Sequence, residues 1–168
     1  MSAVIETKAL SRVRLIAFDV DGVFTDGRFY LSDDGIESKA FNTQDGCGIR
    51  QLLNAGIEVA VISGRQSHAV DRRMADLGVS NVFQGCKDKV AAFDELAAKL
   101  GITAAECAYV GDDVLDLPLL RKVGFPVAVA NAVTAVRDQC KHTTVAKGGF
   151  GAVREVCELI LAAQNESD

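Results

Sequence analysis

Short, mostly apolar runs that stop abruptly at polar or glycine residues set the pattern of this chain. The run at residues 13–18 stops at Asp19, the run at 58–62 stops at Ser63, and the run at 107–110 stops at Gly111. Such runs are typical of strands that are buried on both faces, as in a parallel sheet. Helix-length segments separate them, so strands and helices alternate. We therefore predict a single α/β domain over residues 1–168, a Rossmann-like three-layer parallel sheet with crossover helices.

Turn and cap signals place the individual elements. The predicted strands lie at residues 13–18, 58–62, 79–83, 107–110, 126–130 and 143–145. The predicted helices lie at residues 45–54, 67–77, 89–100, 113–123, 133–140 and 152–163. Two shorter β segments, 28–31 and 36–41, flank a polar turn and predict a small β-hairpin inserted after the first strand.

Aspartates collect where two of the predicted strands end. Asp19 and Asp21 follow the first strand, and side chains two apart on an extended chain point the same way. Asp112 follows a later strand, with Asp113 and Asp116 close behind it. Clustered carboxylates repel each other and are costly to desolvate, and a hard cation such as Mg²⁺ would relieve that cost through oxygen ligands. The simpler alternatives are solvated turn aspartates and, for Asp113, a helix cap.

Groups suited to an anion occur at two further positions. A hydroxyl and a guanidinium, Ser63 and Arg65, follow the second long strand and are able to hold phosphate oxygens. Lys89 lies near the start of a predicted helix, where the helix dipole favours a bound anion. The alternatives are that Ser63 caps a helix and that Lys89 is solvated. Open α/β sheets bind ligands at the carboxyl edge of their strands, and all these positions share that edge.

Net charge and cysteine content limit which partners and which cellular compartment the sequence favours. The formal net charge of -5 argues against nucleic acid or an anionic membrane as the main partner. The five cysteines are scattered and include no Cys-x-x-Cys pair, which favours a reduced, cytoplasmic compartment and no zinc site. Residues 1–12 lack the apolar core of a signal peptide, and no apolar run is long enough to cross a bilayer.

Taken in order, Asp19-Val-Asp21-Gly22, Ser63, Lys89 and Gly111-Asp-Asp-x-x-Asp116 resemble the four motifs of the haloacid dehalogenase superfamily of phosphotransferases. The resemblance implies that Asp19 attacks phosphorus and becomes an aspartyl phosphate. It implies that Asp21 protonates the leaving oxygen and then activates water, while Ser63 and Lys89 hold the phosphoryl oxygens. It also implies Mg²⁺ bound by the Asp19 carboxylate, the Asp21 backbone carbonyl and Asp112, with Asp113 and Asp116 behind these ligands.

The spacing of the motifs leaves no room for the cap domain that many members of this superfamily insert. Within the capless group, Lys39-Ala-Phe-Asn42, Asp45-Gly-x-Gly-Ile-Arg50, Gly64-Arg65 and Gly151-Ala-Val-Arg-Glu155 resemble the 3-deoxy-D-manno-octulosonate 8-phosphate phosphatase family. The resemblance implies a homotetramer and hydrolysis of a sugar-acid phosphate on the route to lipopolysaccharide. Because the site has no cap of its own, we expect a neighbouring subunit to cover it, with the hairpin and the glycine-rich tail as the candidate contacts. The substrate contacts that it implies are Asp19, Asn42, Thr43, Gln44, Asp45, Gly46, Arg50, Arg65, Arg73 and Lys89. One departure is Phe150, where the family tail often has a basic residue.

Three alternatives remain open at this point. A phosphatase for a nine-carbon, sialic-type sugar acid 9-phosphate would use the same capless scaffold. A phospho-acceptor module without turnover would also use clustered aspartates, a hydroxyl and a lysine, although Asp21 beside the nucleophile favours rapid dephosphorylation. An inactive scaffolding subunit is the third alternative, and the intact motifs disfavour it.

Overall fold

A computed structural model describes residues 7–166 of the protein. Its strands are β1 Leu15–Phe18, β2 Tyr30–Leu31, β3 Glu37–Ser38, β4 Glu58–Ile62, β5 Asn81–Phe83, β6 Cys107–Gly111, β7 Phe125–Ala128 and β8 His142–Thr143. Its helices are α1 Thr43–Asn54, α2 His68–Leu77, α3 Lys89–Leu100, α4 Leu117–Leu120, α5 Thr134–Arg137 and α6 Ala152–Asn165, preceded by a helical turn at residues 7–10. None of these helices has the length and apolar character needed to cross a lipid bilayer.

Six of the strands form one parallel sheet in the order β5-β4-β1-β6-β7-β8. The predicted α/β class, the six strands and their parallel arrangement are therefore confirmed. Strand β1 is central, and all four of its residues are fully buried. Since Phe18 is paired with Val61 of β4 and with Val110 of β6, the chain leaves these three strands at one edge of the sheet. That edge carries the candidate functional residues.

Two predicted helices are shorter in the structure than the sequence pattern indicates. In place of one helix over residues 113–123, a 3₁₀ turn at Val114–Asp116 precedes the four-residue helix α4. After α4 the chain turns, and the Gly124 N–H donates to the backbone carbonyl of Ala104 at 2.8 Å, which leads the chain into β7. In place of a helix over 133–140, α5 has only four residues, because Lys141 already bonds to the backbone carbonyl of Pro126 in the sheet.

The predicted β-hairpin is confirmed, with shorter strands than expected. Strands β2 and β3 pair in antiparallel register, Tyr30 with Ser38 and Leu31 with Glu37. Between β1 and β4 the described chain contains only this hairpin and α1, and between β4 and α3 it contains only α2 and β5. No cap domain is therefore present in the part of the chain that the structure describes.

Helices α1 and α6 pack closely against each other on one face of the sheet. A Cβ on Gly48 of α1 would lie 3.1 Å from the Cβ of Cys157, so a larger residue there would require the two helices to move apart slightly. The buried Asp45 accepts a hydrogen bond of 3.0 Å from the backbone N–H of Arg154, in the first turn of α6. This contact satisfies an N–H that a helix start leaves without an intrahelical partner. The α1–α6 pair thus fixes the chain that follows the hairpin against the C-terminal helix.

Candidate active site

Three aspartates meet at the carboxyl edge of β1 and β6. One carboxylate oxygen of each of Asp19, Asp112 and Asp116 lies within 4.8 Å of the others. Asp19 directly follows β1, while Asp112 and Asp116 belong to the turn after β6. Gly22 makes room for them, since a Cβ at this position would lie 1.9 Å from Oδ2 of Asp112. The first and fourth sequence motifs therefore converge in the fold.

The side chain of Asp116 is the bracing element of this cluster. Its Oδ1 accepts hydrogen bonds from the Tyr109 hydroxyl at 2.6 Å and from Nζ of Lys89 at 2.8 Å. Its Oδ2 accepts from the backbone N–H groups of Asp112 at 3.0 Å and of Asp113 at 3.2 Å. With four donors around a carboxylate that is 1% exposed, Asp116 organises its neighbours and has little free capacity for a further ligand.

Lys89 connects helix α3 to the acidic cluster. Its Nζ lies 3.0 Å from Oδ1 of Asp19 and 2.8 Å from Oδ1 of Asp116. Burial works against the charge of Lys89, but the two carboxylates more than offset it and raise the pKa of this lysine. The ammonium is therefore held charged beside Asp19, where it is able to meet a second anion.

The acidic cluster is electrostatically strained. Burial, followed by the charges of Asp19, Asp116 and Asp113, raises the pKa of Asp112 to about 8. Burial and the charge of Asp116 raise the pKa of Asp19 to about 6, although Lys89 acts in the opposite direction. Hard carboxylate oxygens that converge and repel one another are the donor set that suits a divalent cation such as Mg²⁺. The residues present therefore fit the metal, with Asp19 and Asp112 as the carboxylates free to bind it.

A cavity of about 610 Å³ opens in front of this cluster. Its lining residues come from four strand ends and the loops beside them: Asp19, Asp21, Gly27, Ser63, Gly64, Arg65, Cys86, Lys87, Lys89, Asp112, Asp113, Leu115 and Asp116. The Ser63 hydroxyl oxygen accepts a 3.3 Å hydrogen bond from the backbone N–H of Arg65, which leaves its proton free to donate into the cavity. Asp113 also caps the following turn by accepting from Val114 N–H at 2.7 Å, as the simpler alternative for this residue expected.

A second group of charges lies on the hairpin side of the cavity. Nζ of Lys39 lies 2.5 Å from Oδ1 of Asp21 and 3.4 Å from Oε2 of Glu37. The Arg65 guanidinium bonds to Glu37, and its Nε lies 3.7 Å from Oδ2 of Asp21. Partial burial opposes the charge of Glu37, but the bonds and charges of Arg65 and Lys39 lower its pKa. We call these four residues the hairpin ion cluster.

The aromatic ring of Phe29 forms the floor of the hairpin ion cluster. The Arg65 guanidinium carbon lies 4.3 Å from the ring centroid, and Nζ of Lys39 lies 5.4 Å from it. Both distances are in the range of cation–π attraction. No role was predicted from the sequence for Phe29, Glu37 or Lys39. The alternation of β3 offers the one signal that would have found two of them, because it places Glu37 and Lys39 on the same side.

Several residues that the resemblance implies as substrate contacts lie outside this cavity in the described chain. These residues occupy the start of α1, its middle and α2: Asn42, Thr43, Gln44, Asp45, Gly46, Arg50 and Arg73. Asn42 caps α1 by accepting from Gln44 N–H at 2.8 Å, and Arg50 donates to the Asp76 carbonyl at 2.7 Å. Their contact with substrate stays a prediction.

The glycine-rich segment after β8 braces the loop that carries Asp21. A Cβ on Gly148 would lie 1.8 Å from the carbonyl oxygen of Gly22, so the two backbones touch. Gly148 N–H donates to Oδ1 of Asn131 at 2.8 Å, and the Glu155 carboxylate accepts from the backbone N–H of Ala146 at 2.9 Å. The tail therefore supports the loop after β1 through its backbone, while Phe150 projects outward with 66% of its surface exposed.

Comparison with known proteins agrees with this geometry. Residues 81–154 match the family model described as haloacid dehalogenase-like hydrolase. The 3-deoxy-D-manno-octulosonate 8-phosphate phosphatase KdsC of Escherichia coli (strain B / BL21-DE3) is 46% identical over 168 residues, which cover 100% of this chain and 89% of that protein.

Solved structures give the same result. The phosphatase of the same name from Moraxella catarrhalis, crystallised with magnesium, phosphate and KDO, superposes with a TM-score of 0.94 at 45% identity, covering 96% of this chain and 93% of that one. The cobalt-bound enzyme from Haemophilus influenzae superposes with a TM-score of 0.91 at 42% identity, covering 95% and 93%. The chain therefore belongs to the haloacid dehalogenase superfamily and, within it, to the family of 3-deoxy-D-manno-octulosonate 8-phosphate phosphatases.

Proposed function

We propose that this protein is a Mg²⁺-dependent phosphatase that hydrolyses 3-deoxy-D-manno-octulosonate 8-phosphate to the free sugar acid and phosphate, in lipopolysaccharide biosynthesis. The observation that carries the proposal is the 45% identity, over nearly the full chain, to an enzyme crystallised with magnesium, phosphate and the sugar acid. The converging carboxylates and the lysine beside them also support it, because they suit the binding of a metal ion and of a phosphoryl group.

In this proposal Asp19 is the nucleophile. Its carboxylate oxygen attacks phosphorus, the bond from phosphorus to the sugar oxygen breaks, and Asp21 gives its proton to that oxygen. In the second step Asp21 takes a proton from water as the water attacks phosphorus and Asp19 is released. Ser63 and Lys89 hold the phosphoryl oxygens throughout. Asp19, Asp112 and the Asp21 backbone carbonyl would hold Mg²⁺, whose charge would offset the negative charge that phosphoryl transfer concentrates there.

The test is a phosphate-release assay over a panel of sugar-acid phosphates, with Mg²⁺ and with a chelator in its place. We expect the highest kcat/KM on the eight-carbon 8-phosphate ester and no turnover with chelator. A higher kcat/KM on a nine-carbon 9-phosphate ester would reassign the substrate. A long-lived aspartyl phosphate without phosphate release would instead identify a phospho-acceptor module.

We further propose that a neighbouring copy of the chain completes the site, as in a homotetramer. The hairpin supports this assembly because its apolar side chains are unusually exposed, with Tyr30 at 77%, Leu31 at 65% and Ile36 at 66%. Exposed apolar groups concentrated on one element mark an interaction surface. A strictly monomeric protein by light scattering, with full activity, would refute this assembly.

A cytoplasmic location is part of the same proposal. All five cysteines are free thiols, and Cys107 and Cys157 are fully buried. Free thiols persist in a reducing compartment, whereas secreted proteins form disulfides. Fractionation of the native host, with the protein in the membrane-free cytoplasmic fraction, is the expected result.

A further inference from the structure

The two carboxylate oxygens of Asp21 have different surroundings. Oδ1 is 2.5 Å from Nζ of Lys39, whose side chain is 0% exposed. Among the described residues, the charged group that pairs with Oδ2 is Nε of Arg65, at 3.7 Å, and the Arg65 side chain is 52% exposed on the cavity wall. One oxygen is therefore fixed from behind by a buried ammonium, while the other remains available on the open side of the cavity.

Lys39 has no direct access to that cavity. Asp21 and Arg65 line it, but Lys39 does not. A buried ammonium is stable only when other groups replace its hydration, and here Asp21, Glu37 at 3.4 Å and the Phe29 ring do so. Any effect of Lys39 on a bound ester consequently passes through the groups that it holds, Asp21 directly and Arg65 by way of Glu37.

We propose that Lys39 is a positioning residue for the proton transfers of Asp21. The inference rests on the proposed phosphatase function. By holding Oδ1, Lys39 aims Oδ2 at the reacting group. In the first step the proton on Oδ2 passes to the ester oxygen as its bond to phosphorus breaks. In the second step Oδ2 takes a proton from the attacking water, and Lys39 stays charged in both.

The placement of Lys39 just after β3 gives the hairpin a role in this reaction. Glu37 and Lys39 follow the same side of that segment, and Glu37 also bonds to Arg65 on the opposite wall. In this structure the hairpin therefore both holds Lys39 beside Asp21 and contacts Arg65 through Glu37. Two competing explanations must be separated from this one: that Lys39 only anchors the hairpin, and that it binds an anionic group of the substrate.

The experiment compares wild type with Lys39→Met on three esters. The first is 3-deoxy-D-manno-octulosonate 8-phosphate, and the second is arabinose 5-phosphate, an alkyl ester with no carboxylate. The third is p-nitrophenyl phosphate, whose leaving group departs as a stable anion and needs no proton. Because kcat/KM reports steps through formation of the aspartyl phosphate, it isolates the step in which Asp21 acts as an acid.

We expect kcat/KM to fall on the order of 10- to 100-fold for both alkyl esters. For p-nitrophenyl phosphate we expect a change within about threefold, since that step needs no general acid. Equal losses on all three esters would overturn the inference in favour of a structural role. A loss confined to the sugar-acid ester would overturn it in favour of a substrate ligand, and unchanged values on all three would also overturn it.

Two further variants keep the result interpretable. Lys122→Met removes a lysine from an exposed ion pair with Asp94, and should leave all three values unchanged. Lys39→Arg retains a cation beside Asp21 and should recover most of the loss on the alkyl esters, which a purely steric role for Lys39 would not predict. If Lys39→Met fails to fold, Lys39→Gln takes its place. A wild type that hydrolyses arabinose 5-phosphate but not the sugar-acid ester would refute the proposed substrate while leaving this test intact.

Discussion

The acidic cluster and the hairpin ion cluster face each other across one cavity and are built in opposite ways. The acidic cluster places three carboxylates, those of Asp19, Asp112 and Asp116, around the single ammonium of Lys89. The hairpin ion cluster balances two carboxylates with two cations. The first extends the fully buried strands β1 and β6. The second joins Asp21 and Arg65, in the loops after β1 and β4, to a hairpin whose strands are two residues long.

This difference shows how the fold divides two tasks. Carboxylates that repel one another stay together only where buried structure holds them in place. Their excess negative charge then favours binding of a metal cation. Balanced charges need no such ion and can be carried by a short, exposed element such as the hairpin. The cluster that binds and attacks is thus fixed by the core, and the cluster that orients the proton donor is attached to the least buried part of the chain.

Asp19→Asn is the largest change expected on the rigid side. Loss of the attacking carboxylate should lower kcat by at least about 10⁴-fold. The melting temperature should change little, because the amide keeps the size of the side chain. Phosphate release, with Asp94→Asn as a matched substitution on the exposed surface, provides the measurement. Turnover near the wild-type level in Asp19→Asn would show that the nucleophile lies elsewhere.

Asp21→Asn is the corresponding change on the hairpin side, with a smaller effect. Loss of general acid and base catalysis should lower kcat by roughly 10²- to 10⁴-fold. With p-nitrophenyl phosphate, formation of the aspartyl phosphate needs no proton while its hydrolysis needs a base, so one equivalent of p-nitrophenol should appear in a burst. Intact-mass measurement after rapid quenching should find the phosphoryl group on the protein. A steady rate without a burst would contradict separate roles for Asp19 and Asp21.

Asp112→Asn has the smallest predicted effect and reports on stability. In wild type, saturation with Mg²⁺ at about 100 times its Kd should add about 2.7 kcal/mol to the free energy of unfolding and raise Tm by roughly 5–10 °C. The variant should lose most of this shift. A full Mg²⁺ shift in the variant would show that Asp112 does not hold the metal.

The melting temperature of Asp112→Asn without metal tests whether the neighbouring carboxylates destabilise the fold through Asp112. Folding raises the pKa of Asp112 from 3.8 to about 8, so this carboxyl destabilises the metal-free fold increasingly as pH rises between those values. Asp112→Asn should therefore melt at or above the wild-type temperature in chelator, with the advantage growing from about pH 4 to about pH 8. Differential scanning calorimetry across that range measures it. A variant that melts lower at pH 8 would contradict the repulsion.

The sequence was sufficient to predict the sheet and the acidic cluster because both depend on local patterns. Continuous apolar runs specify β1, β4 and β6, and a polar residue directly after a buried strand must emerge at its carboxyl edge. The position of Asp19 relative to Asp112 therefore follows from strand pairing alone. Magnesium and the phosphatase family were predicted correctly from the same motifs.

Local sequence patterns of this kind could not predict the hairpin ion cluster. The contact between Lys39 and Asp21 spans 18 positions of the chain and depends on how a short hairpin folds back. Strands of two residues give almost no periodicity, so the sequence pattern predicts neither the register of β2 and β3 nor the orientation of the hairpin relative to the sheet. Tyr109 was missed for another reason, because an apolar strand reads as core and its hydroxyl contact with Asp116 becomes visible only in the structure.

The contact between Gly148 and the loop after β1 joins two parts of the chain that leave the ribosome far apart in time. Strand β1 is synthesised well before the segment that supports its loop. A nascent or stalled chain that lacks residues 144–155 would carry the nucleophile and most of the sheet but not the backbone that steadies the loop. Completion of the site is thereby tied to synthesis of that segment, so chains that end before it are expected to remain inactive.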